Sequence, residues 1–132
     1  MKLYIAGPML DECMHNHQTF FRVAIQLRDM GHTVVNPAEY DVARGFMSHL
    51  PADDPRQPGT RSECLRRDFR FVLDCDGIVL LPGWEQSEGA CAERLVAQLS
   101  GRKVFYYGEE YGTAELSLVE PSDYTLEWRY SA

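Results

Sequence analysis

Three carboxylates, Glu93, Asp68 and Asp76, are the side chains of this sequence best suited to chemistry. Glu93 lies in the first turns of a predicted helix that follows an apolar strand and a Pro-Gly turn. Backbone N–H groups without partners at such a helix start favour a negatively charged ligand. Retaining glycosidic cleavage requires two carboxyl groups beside a bound sugar, one to attack the anomeric carbon and one to protonate the leaving group. The sequence supplies candidates for both roles.

Each of these carboxylates also has a purely structural explanation. The helix macrodipole favours a solvated glutamate near a helix N-terminus, which would account for Glu93. Asp76 suits a turn between a helix and a strand, and Asp68 lies between Arg67 and Arg70, where an exposed ion pair would explain it. The residue types alone leave both interpretations open.

Other catalytic and cofactor chemistries find little support in the sequence. His15 and His17 form a His-x-His pair, but no third ligand follows at a useful spacing, so we expect no metal site. The turn at residues 7–9 lacks the further glycines of a dinucleotide-binding fingerprint, and the chain has no Walker loop. Ser87 has no Gly-x-Ser-x-Gly elbow around it. We therefore expect a protein that uses no cofactor.

Length, charge and cysteine content narrow the class of protein. The chain has 132 residues, which suits one domain spanning 1–132, and a formal net charge of −7. An acidic surface argues against nucleic-acid binding, whereas a helix N-terminus can hold a small anion without Lys or Arg. The four cysteines lie far apart, at 13, 64, 75 and 91, which favours reduced thiols in a cytoplasmic protein. No apolar run approaches the roughly 18 residues of a membrane span, so we expect no membrane partner.

Strands and helices alternate along the chain with short joints. Apolar runs at 3–6, 33–35, 77–81 and 103–107 predict four strands, and helical periodicity predicts helices at 20–27, from a Ser62 N-cap to about 74, and at 89–100. The last helix is expected to turn Leu95, Val96 and Leu99 inward. This alternation predicts an α/β fold: a three-layer α/β/α sandwich around a doubly wound, mainly parallel sheet of four to five strands, flavodoxin-like or Rossmann-like.

Parallel strands bring their carboxyl ends, and the loops that follow them, to one edge of the sheet. Four loops therefore converge there: those near residue 7, around 36, around 82–88 and after 107. We expect Glu93 to point toward this edge. The candidate substrate-binding residues lie in the first three loops and the adjoining helix start: Gly7, Pro8, Asn36, Gly83, Trp84, Ser87, Glu88 and Gly89.

Two segments lack a clear period. Residues 38–60 are predicted as a long mobile loop, which in a compact domain is usually an active-site lid or a disordered insert, and the sequence leaves both open. Residues 108–132 form a C-terminal extension. Its alternating side chains predict a last edge strand or a surface that packs on a second subunit, and we expect a homodimer. These side chains are Tyr124, Leu126, Trp128 and Tyr130.

The order and spacing of these motifs resemble the nucleoside 2-deoxyribosyltransferase-like superfamily, and most closely a bacterial and phage branch of it. The matching runs are LYIAGPM at 3–9, GHTVVNP at 31–37, and LPGWEQSEG at 81–89 leading to Glu93. Between them, Arg67-Asp68 is followed, eight positions after the aspartate, by Asp76. The resemblance spans residues 3–107.

The resemblance implies roles for individual residues. Glu93 matches the nucleophile that attacks C1′ of a ribose or deoxyribose, and Tyr4 matches the tyrosine that orients it. Asp68 matches best the aspartate that helps protonate the departing base, with Asp76 near the same wall. Family hydrolases of nucleoside 5′-monophosphates have serine six residues before the nucleophile, where transferases of free nucleosides commonly have an acidic residue. Ser87 in that position favours a nucleotide, while the adjacent Glu88 adds negative charge.

The resemblance therefore implies hydrolysis of the N-glycosidic bond of a (deoxy)nucleoside 5′-monophosphate through a glutamyl-glycosyl intermediate, giving free base and sugar 5-phosphate. Three alternatives stay open. The same nucleophile would serve a nucleoside deoxyribosyltransferase, and a catalytically silent nucleotide-binding or sensor module would keep the fold without turnover. A phosphoribohydrolase of the lysine-decarboxylase-like type is the third, although its second glycine and its threonine are missing here.

Overall fold

The computed structural model describes residues 1–9, 16–47, 49–51 and 54–120. Its strands are β1 (Lys2–Ala6), β2 (Thr33–Val35), β3 (Gly77–Leu80), β4 (Lys103–Glu110) and β5 (Thr113–Leu118). Its α-helices are α1 (His17–Asp29), α2 (Pro37–Ala43), α3 (Arg61–Asp74) and α4 (Glu88–Leu99), and a 3₁₀ turn covers Trp84–Gln86. All four predicted strands and all three predicted helices are present.

The five strands form one sheet in the order β2-β1-β3-β4-β5. β1 pairs in parallel with β2 and β3, and β3 pairs in parallel with β4, whereas β5 is antiparallel to β4. The strand order reverses at the boundary between β1 and β3, because the chain passes from β2 on one side of β1 to β3 on the other. Open sheets of this flavodoxin-like order bind ligands beyond the strand ends at that boundary. The predicted doubly wound, mainly parallel sheet is confirmed.

Both faces of the central strands β1 and β3 are buried, which explains their uninterrupted apolar sequences. Leu3 and Ile5 of β1 face a core that includes α1, whereas Tyr4 and Ala6 face a second core that includes α3 and α4. The two cores correspond to the predicted three-layer sandwich. Because successive side chains of a strand point to opposite faces, the position of Tyr4 in β1 directs it toward α4.

The segment predicted as a loop from residue 38 begins with a helix. α2 starts directly after β2, where the Asn36 side chain accepts a hydrogen bond from the Ala38 backbone N–H at 3.0 Å. Pro37 occupies the first helical position, where a missing N–H has little cost. Asn36-Pro37 therefore starts a helix as well as ending a strand, and residues 44–60 connect α2 to α3.

Two further boundaries differ from the prediction. α3 begins after Thr60 rather than Ser62, because Thr60 and Glu63 form a reciprocal capping box. The first part of the C-terminal extension is the end of β4 and the antiparallel β5, joined by a two-residue turn with positive φ at both positions. The alternating residues at 124–130 lie outside the described residues. None of the described helices is long and apolar enough to cross a membrane.

The inward face of α4 matches the prediction only in part, since Val96 packs partly buried against the core as predicted. Leu99 is exposed. The buried residues of this helix are Ala90, Glu93 and Ala97. Ala90 and Ala97 have small side chains, so this face of the helix can lie close to the sheet. Glu93 lies on the same face and is therefore held against the sheet as well.

Candidate active site

A cavity of about 920 Å³ opens at the carboxyl ends of β1 and β3, where the strand order reverses. The turn after β1, the start of α2, one face of α3, the turn after β3 and the start of α4 all line it. Residues from 54 to 61 contribute a further wall. A cavity of this volume is within the range of small-molecule binding sites.

Glu93 and Tyr4 form a hydrogen-bonded pair inside this cavity. Tyr4 donates its phenolic hydrogen to Glu93 Oε2. Only 7% of Glu93 and 1% of Tyr4 are exposed to solvent. Both residues line the cavity, so the pair lies between the sheet and α4 at the edge where a ligand would bind. This burial contradicts the alternative of a solvated glutamate near a helix start.

Burial and neighbouring charges change the proton affinity of this pair. Burial raises the pKa of the Glu93 carboxyl well above its usual value, and the charge of Asp68 raises it further. The hydrogen bond from Tyr4 opposes this shift, because it stabilises the ionised carboxylate. Burial and the charge of Glu93 raise the pKa of Tyr4, so the phenol keeps its proton and remains a donor. Tyr4 therefore stabilises the nucleophilic form of Glu93.

Asp68, on α3, supplies a second acid to the same cavity. Arg67 Nε donates to Asp68 Oδ1 at 2.8 Å, and Arg67 Nη2 donates to Asp41 Oδ1 at 2.9 Å. Burial raises the pKa of Asp68 above its usual value, whereas the hydrogen bond from Arg67 lowers it. The ion pair between Asp68 and Arg67 is thus present, but it lines the cavity and is largely buried. Asp68 can serve as an acid whose proton affinity its partners adjust.

The start of α4 offers donors to an anion. Ser87 Oγ caps the helix by accepting a hydrogen bond from the Ala90 backbone N–H at 3.2 Å, which leaves the hydroxyl hydrogen for a ligand. Gly89 lines the cavity beside it. Glu88 also lines the cavity, and its exposed carboxylate lies 3.3 Å from the guanidinium of Arg61. Arg61 therefore counters part of the negative charge of Glu88.

The turns after β1 and β3 approach each other closely along another wall. A Cβ atom at Gly7 would lie 2.8 Å from Leu81 Cβ, so the close approach requires glycine. Gly83 has a φ of 88°, and a Cβ atom there would lie 3.3 Å from the ring of Pro8. Gly7, Pro8 and Gly83 all line the cavity, in agreement with their predicted place.

Three predicted site residues, Asp76, Asn36 and Trp84, do not line the cavity. Asp76 precedes β3, at the opposite end of the strand from the cavity, and its Oδ2 accepts a hydrogen bond from the Lys2 backbone N–H at 2.8 Å. Asn36 is fully buried and caps α2 instead of lining the cavity. Trp84 turns away and stacks on Tyr106, with ring centroids 6.2 Å apart.

The sequence did not single out two residues of the cavity, Asp41 and Arg67. Asp41 lies in the segment predicted as a loop, and Arg67 entered only as part of the Arg67-Asp68 motif. They are 26 residues apart on different helices, so no local pattern pairs them. Arg67 Nη1 is buried and has no hydrogen-bond partner among the described residues.

Within the described ranges, no cluster of three or more His, Cys, Asp and Glu side chains could hold a metal ion. His15 lies outside these ranges. The cysteines at 64, 75 and 91 are free thiols.

Comparisons with known proteins agree with this architecture. Among solved structures, the chain is similar to the 2-deoxyribosyltransferase of the psychrotolerant bacterium Bacillus psychrosaccharolyticus, with a TM-score of 0.58 and 22% identity, covering 80% of this chain and 71% of that chain. Identity at this level shows that the two chains share a fold, in agreement with the predicted α/β architecture. No curated protein sequence matches the chain. A family model described as Domain of unknown function (DUF4406) matches residues 1–106, and the chain belongs to this family.

Proposed function

We propose that this protein hydrolyses the N-glycosidic bond of a (deoxy)nucleoside 5′-monophosphate, releasing free base and sugar 5-phosphate. The observation that carries the proposal is the buried Glu93 carboxylate, which accepts a hydrogen bond from the Tyr4 hydroxyl in a cavity that Asp68 also lines. A nucleophilic carboxylate and a second carboxyl group with raised proton affinity are the two groups that this cleavage needs.

The reaction proceeds in two steps. In the first, a Glu93 oxygen attacks C1′, the bond from C1′ to the base nitrogen breaks, and the Asp68 carboxylic acid gives its proton to that nitrogen. The base leaves, and a glycosyl ester stays on Glu93. In the second step, water attacks C1′, Asp68 accepts a proton from the water, and the Glu93 carboxylate is released.

Tyr4 assists both steps by holding the Glu93 carboxylate in place. Its hydroxyl binds Oε2, which leaves the other carboxylate oxygen for the sugar. Since Tyr4 is buried in the core beneath the cavity, this geometry is set before any ligand binds. The nucleophile is thereby oriented, and the hydrogen bond from Tyr4 stabilises its ionised form.

The start of α4 supports a monophosphate as substrate. The Ser87 hydroxyl hydrogen and the backbone N–H groups of the first turn can donate to phosphate oxygens, and the helix dipole favours the negative charge. Arg61 also lines the cavity and adds a positive charge near this turn. Glu88 opposes phosphate binding less than its charge suggests, because it is exposed and paired with Arg61.

Deoxyribosyl transfer is the second candidate, favoured by the likeness to a 2-deoxyribosyltransferase. A nitrogen of a second base would replace water in the second step and attack C1′ of the same Glu93 ester. Hydrolysis and transfer therefore share the nucleophile and differ in the acceptor. A nucleotide-binding module without turnover is a further alternative, and it predicts nucleotide binding with no base released.

Chromatography of free base, after incubation of the purified protein with nucleoside monophosphates and the matching nucleosides, tests the proposal. We expect release from monophosphates that is lost in Glu93→Gln and kept in Glu85→Gln, an exposed carboxylate of the 3₁₀ turn before α4. A second free base added to the mixture reveals transfer as a new nucleotide. No release from any substrate, or equal release by Glu93→Gln, contradicts the proposal.

We also expect a cytoplasmic homodimer. The expectation depends on the widely spaced cysteines and on the aromatic tail, which lies outside the described residues. Light scattering after size-exclusion chromatography measures the mass directly. A dimer that dissociates when Trp128 and Tyr130 are replaced by serine would agree with the expectation, and a monomeric wild-type protein would contradict it.

A further inference from the structure

Arg67 lies between two carboxylates of the cavity wall. Its Nε donates to Asp68 Oδ1 at 2.8 Å, and its Nη2 donates to Asp41 Oδ1 at 2.9 Å. The side chains of Arg67, Asp68 and Asp41 are 17%, 18% and 14% exposed, respectively. Water therefore screens these charges little, and each contact affects its neighbours more than a surface ion pair would.

Carboxyl groups outnumber the Arg67 guanidinium that pairs with them at this wall of the cavity. The Arg67 guanidinium faces two carboxyl groups directly, and Glu93 adds a third that interacts with them. Arginine keeps its proton at every physiological pH, so a proton shared among Asp41, Asp68 and Glu93 is held by one of these three carboxyl groups. How the guanidinium is shared then decides which carboxyl holds it.

We propose that Asp41 is a positioning residue, which by binding one edge of Arg67 keeps Asp68 able to hold the proton that the leaving base receives; this inference rests on the proposed function. With Asp41 ionised, the positive charge of Arg67 is divided between two carboxylates. With Asp41 neutral, Arg67 would pair with Asp68 alone and hold it as an anion, which cannot act as an acid. Asp41 thus acts through Arg67.

The other charged groups around Asp68 agree with this assignment. Burial raises the pKa of Asp68 most, Arg67 lowers it, Asp41 raises it and Arg44 lowers it. Four more titratable groups face the network: Tyr4 from β1, Glu93 from α4, His17 from α1, and Cys64 from α3 itself. Asp41 also faces His17 at 4.0 Å and repels Asp68 directly, so Asp41→Asn changes these interactions as well as the sharing of Arg67, and Arg67→Gln tests the guanidinium itself.

Replacement of the two network residues tests the proposal because the expected shifts have opposite signs. Asp41→Asn keeps an oxygen acceptor for Arg67 but removes the charge, so the pH profile of kcat/KM moves to lower pH by about one unit. Arg67→Gln removes the cation and moves the profile to higher pH, and Arg67→Lys returns it toward the wild-type position. Asp29→Asn, at the exposed end of α1, is the matched control and leaves the profile in place. Two shifts in the same direction, or none, overturn the proposal.

Titration of the Asp68 carboxyl by carbon NMR, without substrate, separates this inference from the proposed function. The signal is assigned by its loss in Asp68→Asn. A lower titration midpoint in Asp41→Asn supports the inference even if the wild-type protein releases no base, a result that contradicts the proposed function alone. An unchanged midpoint in Asp41→Asn overturns the inference even if base is released. If Arg67→Gln does not fold, the titration midpoint of Asp68 in Asp41→Asn tests the inference by itself.

Discussion

Replacement of Tyr4 by phenylalanine removes one hydroxyl from the buried site and leaves the aromatic ring in the core. The change leaves Glu93 Oε2 without its donor, and the burial of both residues keeps water from replacing the lost hydroxyl. Since the hydrogen bond from Tyr4 lowers the pKa of Glu93, the variant holds its nucleophile protonated up to a higher pH. We therefore expect Tyr4→Phe to lose activity because less of its Glu93 is ionised, and we expect this loss to depend on pH.

The size of the defect follows from the charge of the acceptor. A hydrogen bond contributes about 1.5–3 kcal/mol when it is made to a charged group and about 0.5–1.5 kcal/mol when both partners are neutral. The Tyr4 hydroxyl thus favours ionised over protonated Glu93 by about 1–1.5 kcal/mol, or about tenfold. We expect kcat/KM of Tyr4→Phe to fall about tenfold on the acid side of the profile and to recover as Glu93 ionises at higher pH.

Base release measured across pH for wild type, Tyr4→Phe and Tyr107→Phe tests this reasoning. Tyr107 is the matched control, because its hydroxyl donates to Glu109 at 2.7 Å and its ring packs in the core on the other face of the sheet. We expect the acid limb to move only in Tyr4→Phe. An equal loss at every pH, with the acid limb in place, would refute the reasoning, since it would separate the Tyr4 hydroxyl from the ionisation of Glu93.

Three further replacements have distinct expected outcomes. Glu93→Gln should abolish turnover and raise the free energy of unfolding at neutral pH by about 1 kcal/mol, or about 4 °C in Tm. Because the pKa of Glu93 is raised in the folded state, the wild-type protein loses stability as pH rises through that pKa. The gain in Tm of Glu93→Gln should therefore vanish in acid. A gain in Tm that does not depend on pH would contradict this expectation. Asp68→Asn should slow release of bases that need a proton by about 100-fold or more. It should spare substrates whose leaving group needs none, and equal slowing of both would exclude an acid role. Ser87→Ala should cost about 1 kcal/mol of stability through the lost cap, measured by denaturant unfolding. It should also lower kcat/KM about tenfold more for a monophosphate than for its nucleoside, and equal losses would remove Ser87 from phosphate binding.

The sheet and its functional edge could be predicted because their signals are local. Four apolar runs joined by helical segments define parallel strands, and parallel strands bring their carboxyl ends to one edge. The burial of Glu93 was not predictable from periodicity, because α4 buries small residues beside it while Leu99 is exposed. The positions of the large apolar residues are therefore a poor guide to the inner face of a helix when small residues allow that helix to lie closer to the sheet.

The positions of Asp76 and Asp41 depend on tertiary structure. α3 runs back across the sheet, so its N-terminal half lies near the cavity and the residues after it lie at the opposite edge, where Asp76 binds the Lys2 backbone. Asp68 and Asp76 are close together in the sequence, so their spacing does not indicate that they are separated in space. The contact between Asp41 and Arg67 forms only because α2 and α3 meet at the cavity, and α2 itself depends on the Asn36 cap.

The central claim is that Glu93 forms a covalent bond with the sugar. Rapid acid quenching during turnover of a nucleoside monophosphate, followed by mass spectrometry of the intact protein and its peptides, measures this directly. We predict an added sugar phosphate on the peptide that contains Glu93, present in wild type and absent in Glu93→Gln. An adduct on another residue, or turnover with methanol that inverts the configuration at C1′ with no adduct, would contradict the account.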